Sequence, residues 1–343
     1  PPLISIGLPS TLGDMSLPEI PSFSSSSDQI SATPWPEGTV WHYTTGAGLA
    51  GMVGDNVLWA SAMALMNDFR ELRTGKKIFK QLRKTHVDDV EEQIRGDFDA
   101  MIRTASKIDP YRTFVACASE QPDRLTMWRN YAGEVGYAVA LDSTKPLYMR
   151  RQRPMTEEKI AASGLLDEES KQRLRDDANS GSPKFEWTRV VYKPDAQYLA
   201  AWKVLLDIEA AAAASAEGRQ AKKGELYAML DMATVISAIK DPAFEDETET
   251  RLVCNAAMYV DLMYLKHRPG KYGMIPYVEL GLPKDPGQLV GDGPEPMGNL
   301  PIIEVIIGPT RYPKDACAGV RELLRSHGHT NIPVTASRIP FRP

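Results

Sequence analysis

The sequence predicts an α+β fold, and three observations lead there. Four strand-like segments, ETRLVC, MIPYVEL, PIIEVIIG and IPVTAS, crowd the last hundred residues. The helix between the last two of them, from Asp315 to Ser326, cannot supply the crossovers of a regular doubly wound sheet. The chain has 343 residues, 43% hydrophobic and 25% charged, and no internal repeat, which fits one large domain or two small ones.

The elements follow in order. Residues 1–36 are rich in Pro and Ser and read as a linker or loosely held tail. Residues 37–343 read as a single domain. TVWHYT is a strand by its β-branched and aromatic content, Ala47 to Val53 a short helix, and VLWAS a second strand. From Phe69 to about Ser106 an apolar residue recurs every three or four positions, as in helices. TFVACAS is a strand, Asp123 to Tyr131 a helix, VGYAVALD and WTRVVY strands. Residues 144–183 are polar and charged and read as a helical insertion. Residues 195–239 form a second helical region, whose EAAAAASAE has high helix propensity and little to pack with.

Net charge is −5, so no global basic field draws the chain onto nucleic acid or an anionic membrane. Two local runs, Arg70 to Lys84 and RRQR at 150–153, read as solvated faces. Cys117, Cys254 and Cys317 form no C-x-x-C pair. They read as buried free thiols in a reducing compartment, with no metal site and no disulfide framework. No apolar run reaches the length of a membrane span, and no signal peptide opens the chain. The Pro-Pro start without Met suggests a fragment of a longer polypeptide.

WHYTTGAGLAGM, at 41–52, contains a match to G-x-G-x-x-G between a strand and a helix. The next strand starts only six residues after Gly51, and Trp41, His42, Tyr43 and Thr44 are not the apolar run of a strand buried on both faces. A dinucleotide loop is therefore disfavoured. Attention moves to His42 and Thr44, which share one strand face beside a helix start. The plainest alternative is a histidine hydrogen-bonded inside a half-buried strand.

FEDETETRLV, from Phe244, sets Glu245, Glu247, Glu249 and Arg251 on one face of an extended chain. Such carboxylates raise one another's pKa. The segment is either a solvated edge strand or a catalytic E-x-E pair held by an arginine. Asn67, Asp68 and Glu71 read as a helix cap. Met127, Trp128 and Tyr131 read as core packing or as an aromatic wall for a ligand.

From WHYT through LWAS (58–61), NDFRE, CASE (117–120), MWRNYAGEVGYAVALD, FEDETETR, MIPYVEL and IEVIIGP to SRIPFR, the chain resembles an uncharacterised bacterial domain family from about residue 38 onward. Its order of elements also resembles the ADP-ribosyltransferase superfamily: a His strand, a short helix, a small second strand, a Ser on a middle strand and a Glu opening a late strand. Ser119 stands in C-A-S-E where that superfamily has S-T-S, and the late carboxylate is open among Glu245, Glu247 and Glu249.

The resemblance implies a split β-sheet core with helical insertions and NAD as cofactor, cleaved at its nicotinamide–ribose bond. It implies Glu249 and Glu247 as catalytic residues and His42 in the catalytic set. His42, Tyr43, Thr44, Ser61, Ser119, Trp128, Tyr131 and Arg251 would line the cofactor. It further implies a macromolecular acceptor, protein or nucleic acid, and a toxin, effector or conflict enzyme acting in the cytoplasm. The resemblance also implies delivery as the toxin domain of a longer secreted protein and a cognate immunity or antitoxin partner. The alternatives are a non-catalytic nucleotide- or partner-binding module and an NAD glycohydrolase.

Overall fold

A computed structural model describes residues 38–66, 71–105, 109–133, 135–151, 184–216, 221–255, 265–270, 273–284 and 294–340, with residues 158, 161, 168, 171 and 172. The 1–36 tail, Asn67, Asp68 and most of 152–183 lie outside them.

Strand β1 (Thr39–Thr45) leads into helix α1 (Gly46–Asp55) and strand β2 (Leu58–Ala62). Helices α2 (Glu71–His86) and α3 (Glu92–Ala105) precede β3 (Thr113–Ser119), α4 (Leu125–Tyr131), β4 (Gly136–Asp142) and β5 (Leu147–Met149). Then come β6 (Lys184–Phe185), β7 (Thr188–Arg189), α5 (Pro194–Ala216) and α6 (Ala221–Ala238). Strand β8 (Glu249–Asn255), the hairpin β9 (Lys266–Gly270) and β10 (Gly273–Pro283), and β11 (Met297–Gly298) follow. Strand β12 (Ile302–Ile307), helix α7 (Pro313–Ser326) and β13 (Val334–Ala336) come last.

The architecture is α+β, with one large mixed sheet. Its main path runs β13-β12-β4-β1-β3-β2-β10-β5-β6, and β8 pairs with β3 along the whole of both strands. Among the named strands, only β12 and β13 pair in parallel. The opposite edge of β3 is divided. Strand β2 holds it at Phe114 and Val115, and β1 touches it at Ser119. Residues 116–118 face the opening between them.

One core lies under α1 and α7, built from Leu49, Met52, Val53, Val320, Leu324 and inward strand residues. A second packs α2, α3, α5 and α6 over Val115 and Val253. The alanine-rich helix does find partners, contrary to the sequence expectation. Within EAAAAASAE, Ala212 is fully buried and Ala211 and Ala213 pack against the same core, because small side chains let helices approach closely. A small third core joins Trp41 and Tyr43 to Met127, Trp128 and Ile306.

Three further expectations are corrected. The 144–183 stretch begins with strand β5 rather than a helix. Within RRQR, Arg150 and Arg151 are not solvated: Arg150 pairs with Glu279 and buried Arg151 with Glu295. The FEDE segment is not extended. It forms a 3-10 turn, Pro242–Glu247, capped by the Asp241 side chain, and Thr248 turns into the left-handed region at φ 42° before β8 begins.

The glycine run also has its explanation. No parallel crossover joins β1 to β2, and β1 runs antiparallel to both neighbours. A Cβ at Gly48 would stand 2.0 Å from Thr44 Oγ1, and one at Gly51 2.5 Å from the Trp59 ring. These glycines let α1 lie against the strands.

Candidate functional site

The left-handed turn at Thr248 decides the geometry of the acidic segment. It ends the 3-10 turn and delivers Glu247 and Glu249 inward, while Glu245 and Asp246 stay exposed. Glu247 and Glu249 are 4% and 5% exposed and Arg251 is sealed, so the segment is not a solvated edge. Ser119 lies opposite Glu249 in the β3–β8 ladder, and Cys117 opposite Arg251. Ser119 Oγ donates to the Glu247 carbonyl at 2.8 Å, lies 3.0 Å from Thr248 Oγ1 and accepts the Gln121 N–H. The serine thus holds the turn that sets the two glutamates.

Burying two carboxylates demands matched partners. Lys240 Nζ, itself buried, stands 2.8 Å from both Glu247 Oε2 and Glu249 Oε2. Arg251 grips Glu249 with two hydrogen bonds, Nε to Oε1 at 2.8 Å and Nη2 to Oε2 at 2.9 Å. Its Nη1 donates to the Ser237 carbonyl. Tyr131 donates its hydroxyl to Glu247 Oε1 at 3.1 Å, and the Glu249 N–H donates to Tyr192 Oη.

Burial alone would raise the pKa of Glu249. The charge and hydrogen bonds of Arg251, with the charge of Lys240, outweigh it and hold the carboxyl down to about 2. Glu249 is thus a fixed negative charge rather than a base at neutral pH. Burial and the Glu247 charge push the Tyr131 phenol well above its ordinary value, so it stays a donor. Burial and the Glu249 charge likewise raise the Cys117 thiol.

On the divided edge of β3, His42 turns toward the opening. Its Nδ1–H donates to the Cys117 carbonyl at 2.8 Å, which leaves Nε2 as the acceptor nitrogen. Burial lowers the His42 pKa, the Cys117 bond opposes this, and the charge of Arg268 lowers it further. The imidazole is neutral at pH 7.

Of the residues singled out in the sequence, Ser119, Tyr131, Glu247, Glu249 and Arg251 meet in one cluster, with His42 one backbone carbonyl away. Ser61 accepts a hydrogen bond from Arg268 instead. Thr44 is half-buried on β1. Tyr43 and Trp128 pack edge to face, 4.8 Å apart, within the third core. Their polar tips are used: Tyr43 Oη bonds Gln121 O and the Arg124 N–H, and Trp128 Nε1 donates to Asp123.

Lys240, Tyr192 and Arg268 were missed, and so was a second ionic centre at Glu279. That carboxylate has no exposure and takes Lys266 at 2.7 Å and Arg150 at 2.9 Å. An acid inside the apolar run MIPYVEL was the available signal. Among the described residues, no group of three His, Cys, Asp or Glu side chains is placed to hold a metal ion.

The segment carrying Tyr131, Tyr192, Lys240, Glu247, Glu249 and Arg251 is also the one that comparison recognises. Residues 127–252 match a family model, Protein of unknown function (DUF2971). Neither the curated proteins nor the solved structures give a match to the chain. The DUF2971 segment runs from α4 to the middle of β8. It holds the ionic cluster but not His42, Ser61, Ser119 or Arg268.

Proposed function

We propose that the chain is an NAD-dependent ADP-ribosyltransferase of split-sheet type. It would cleave the nicotinamide–ribose bond and transfer ADP-ribose to a macromolecule. One observation carries the reading: a buried E-x-E pair opens a strand whose neighbour, β3, is split along its other edge beside His42.

Bond cleavage develops positive charge on the ribose, and a preorganised carboxylate stabilises it without reorganising. Glu249, ionised at any working pH, has that role. Glu247, linked to Tyr131, orients the acceptor. Ser119 holds the turn between the glutamates, and the open Nε2 of His42 accepts a sugar hydroxyl. With water as acceptor, the same site is an NAD glycohydrolase.

The test is incubation of purified protein with NAD, with and without cell lysate, following nicotinamide. Glu249→Gln should cut release by about a hundredfold or more. Glu247→Gln run beside it, with melting curves for both, separates chemistry from folding. Release from a folded Glu249→Gln variant at the native rate ends the assignment.

A second reading has its own observation. Glu249 already receives three donors from Lys240 and Arg251, which leaves little of the carboxylate for a ligand. That favours a non-catalytic nucleotide-binding module. NAD binding without nicotinamide release in the unmutated protein would select it.

A further inference from the structure

Arg268 differs from the other cations turned into this region. Lys240 and Arg251 meet Glu249, Lys266 and Arg150 meet Glu279, and Arg151 meets Glu295. Arg268 is half-buried on β9 and makes no carboxylate pair among the described residues. Its Nη2 donates to Ser61 Oγ at 3.0 Å, and its guanidinium lies 5.9 Å from the centre of the Trp59 ring. Among the described residues its Nε is buried without a hydrogen-bond partner, and so is Trp59 Nε1. Burial without a counter-charge also pulls the Arg268 pKa below its ordinary value.

A charge removed from water without a counterion is costly, and so is each orphaned donor. The groups gathered here share one sign. The guanidinium only donates. Ser61 uses its oxygen to accept from Arg268, so its own proton is left to give. The Trp59 ring lies beside the guanidinium, its centre 5.9 Å away, and forms an aromatic wall to the pair. Beside them, close enough to feel the Arg268 charge, stands neutral His42 with an acceptor nitrogen. Donors of positive character next to an acceptor suit a phosphoryl group carried on a hydroxylated sugar, because a guanidinium fork matches phosphate oxygens.

We propose that Arg268 and Ser61, walled by the Trp59 ring, form a phosphate-binding subsite at the split of the sheet, occupied by the phosphoryl group of a nucleotide whose sugar hydroxyl meets His42. That the nucleotide is NAD rests on the transferase reading; the phosphate subsite does not.

The test measures binding of ADP, NAD and inorganic phosphate to the full chain by calorimetry, for the unmutated protein, Arg268→Gln and Arg268→Lys. Melting of each without ligand is the control. Arg268→Gln should weaken ADP about ten- to a hundredfold. Arg268→Lys should recover part of the loss, and the ligand-free melting temperature of Arg268→Gln should hold or rise, since that variant removes an uncompensated charge. Inorganic phosphate displacing ADP from the unmutated protein would assign the contact to the phosphoryl group itself. Equal ADP affinity in Arg268→Gln overturns the subsite. So does a failure of ADP, NAD and phosphate all to bind the unmutated protein at millimolar concentration. Arg268-dependent ADP binding without nicotinamide release sustains the subsite and sinks NAD cleavage. Nicotinamide release with an unchanged KM in Arg268→Gln does the reverse.

Discussion

The two edges of β3 treat charge in opposite ways. Along the β8 edge, Lys240, Glu247, Glu249 and Arg251 form a buried set of two cations and two anions, with hydrogen bonds between them. Beside the divided edge, Arg268 and Trp59 hold donors with no acceptor among the described residues. A closed set of charges is rigid and selects a geometry. An open set is selective for what arrives. The first kind positions chemistry, and the second recognises a ligand.

The largest expected break is on the closed side. Arg251→Met leaves Glu249 with Lys240 as its one cationic partner among the described residues and removes the donor to Ser237. Leaving a buried charge under-compensated should cost about 3–5 kcal/mol, read from urea unfolding. A loss below about 1 kcal/mol would mean that water reaches the cluster and the closed description is wrong.

Next in size is the acid response. The unfolded chain protonates this carboxyl near 4.5, whereas the folded one resists to about 2. The stabilisation is therefore complete above roughly pH 5 and fades as the pH falls toward 2, in total about 3 kcal/mol. Unfolding titrations should show this slope in the unmutated protein and a flatter one in Glu249→Gln. Parallel slopes would remove Glu249 as the source.

The smallest effect is on the open side. Gly51→Ala drives a methyl against the Trp59 ring and should cost about 1–3 kcal/mol without any ligand present. A neutral change in stability accompanied by lost nucleotide binding would return the glycine run to a phosphate-loop role.

Much of the fold was legible because strands of alternating or β-branched residues and amphipathic helices announce themselves locally. The E-x-E pair was legible for the same reason. Its geometry was not, since the alternation rule assumes an extended chain and Pro242 with the Asp241 cap starts a 3-10 turn instead. Lys240 carries no local mark of its role, because its partners are set by a turn seven and nine residues on. Arg150 read as part of a solvated run because its partner Glu279 lies 129 residues away. Burial of the alanine-rich helix depended likewise on two distant helices, α2 and α3, besides its neighbour α6. Arg268 was invisible for a different reason: its significance is an absent partner, and only three dimensions reveal an absence.

The division of the β3 edge has a mechanical consequence. The leaf made by β1, β4, β12 and β13 and the leaf made by β2, β10 and β5 share a single strand as their spine. Between Val115 and Ser119 no strand ladder crosses from one leaf to the other, and the His42 bond to Cys117 is the latch there. At 116–118 the two leaves are therefore joined, besides that latch, only through β3 and its ladder to β8, so a motion of one leaf against the other bends that pair alone. A molecule seated across it would act as a staple, slowing amide exchange in both leaves at once.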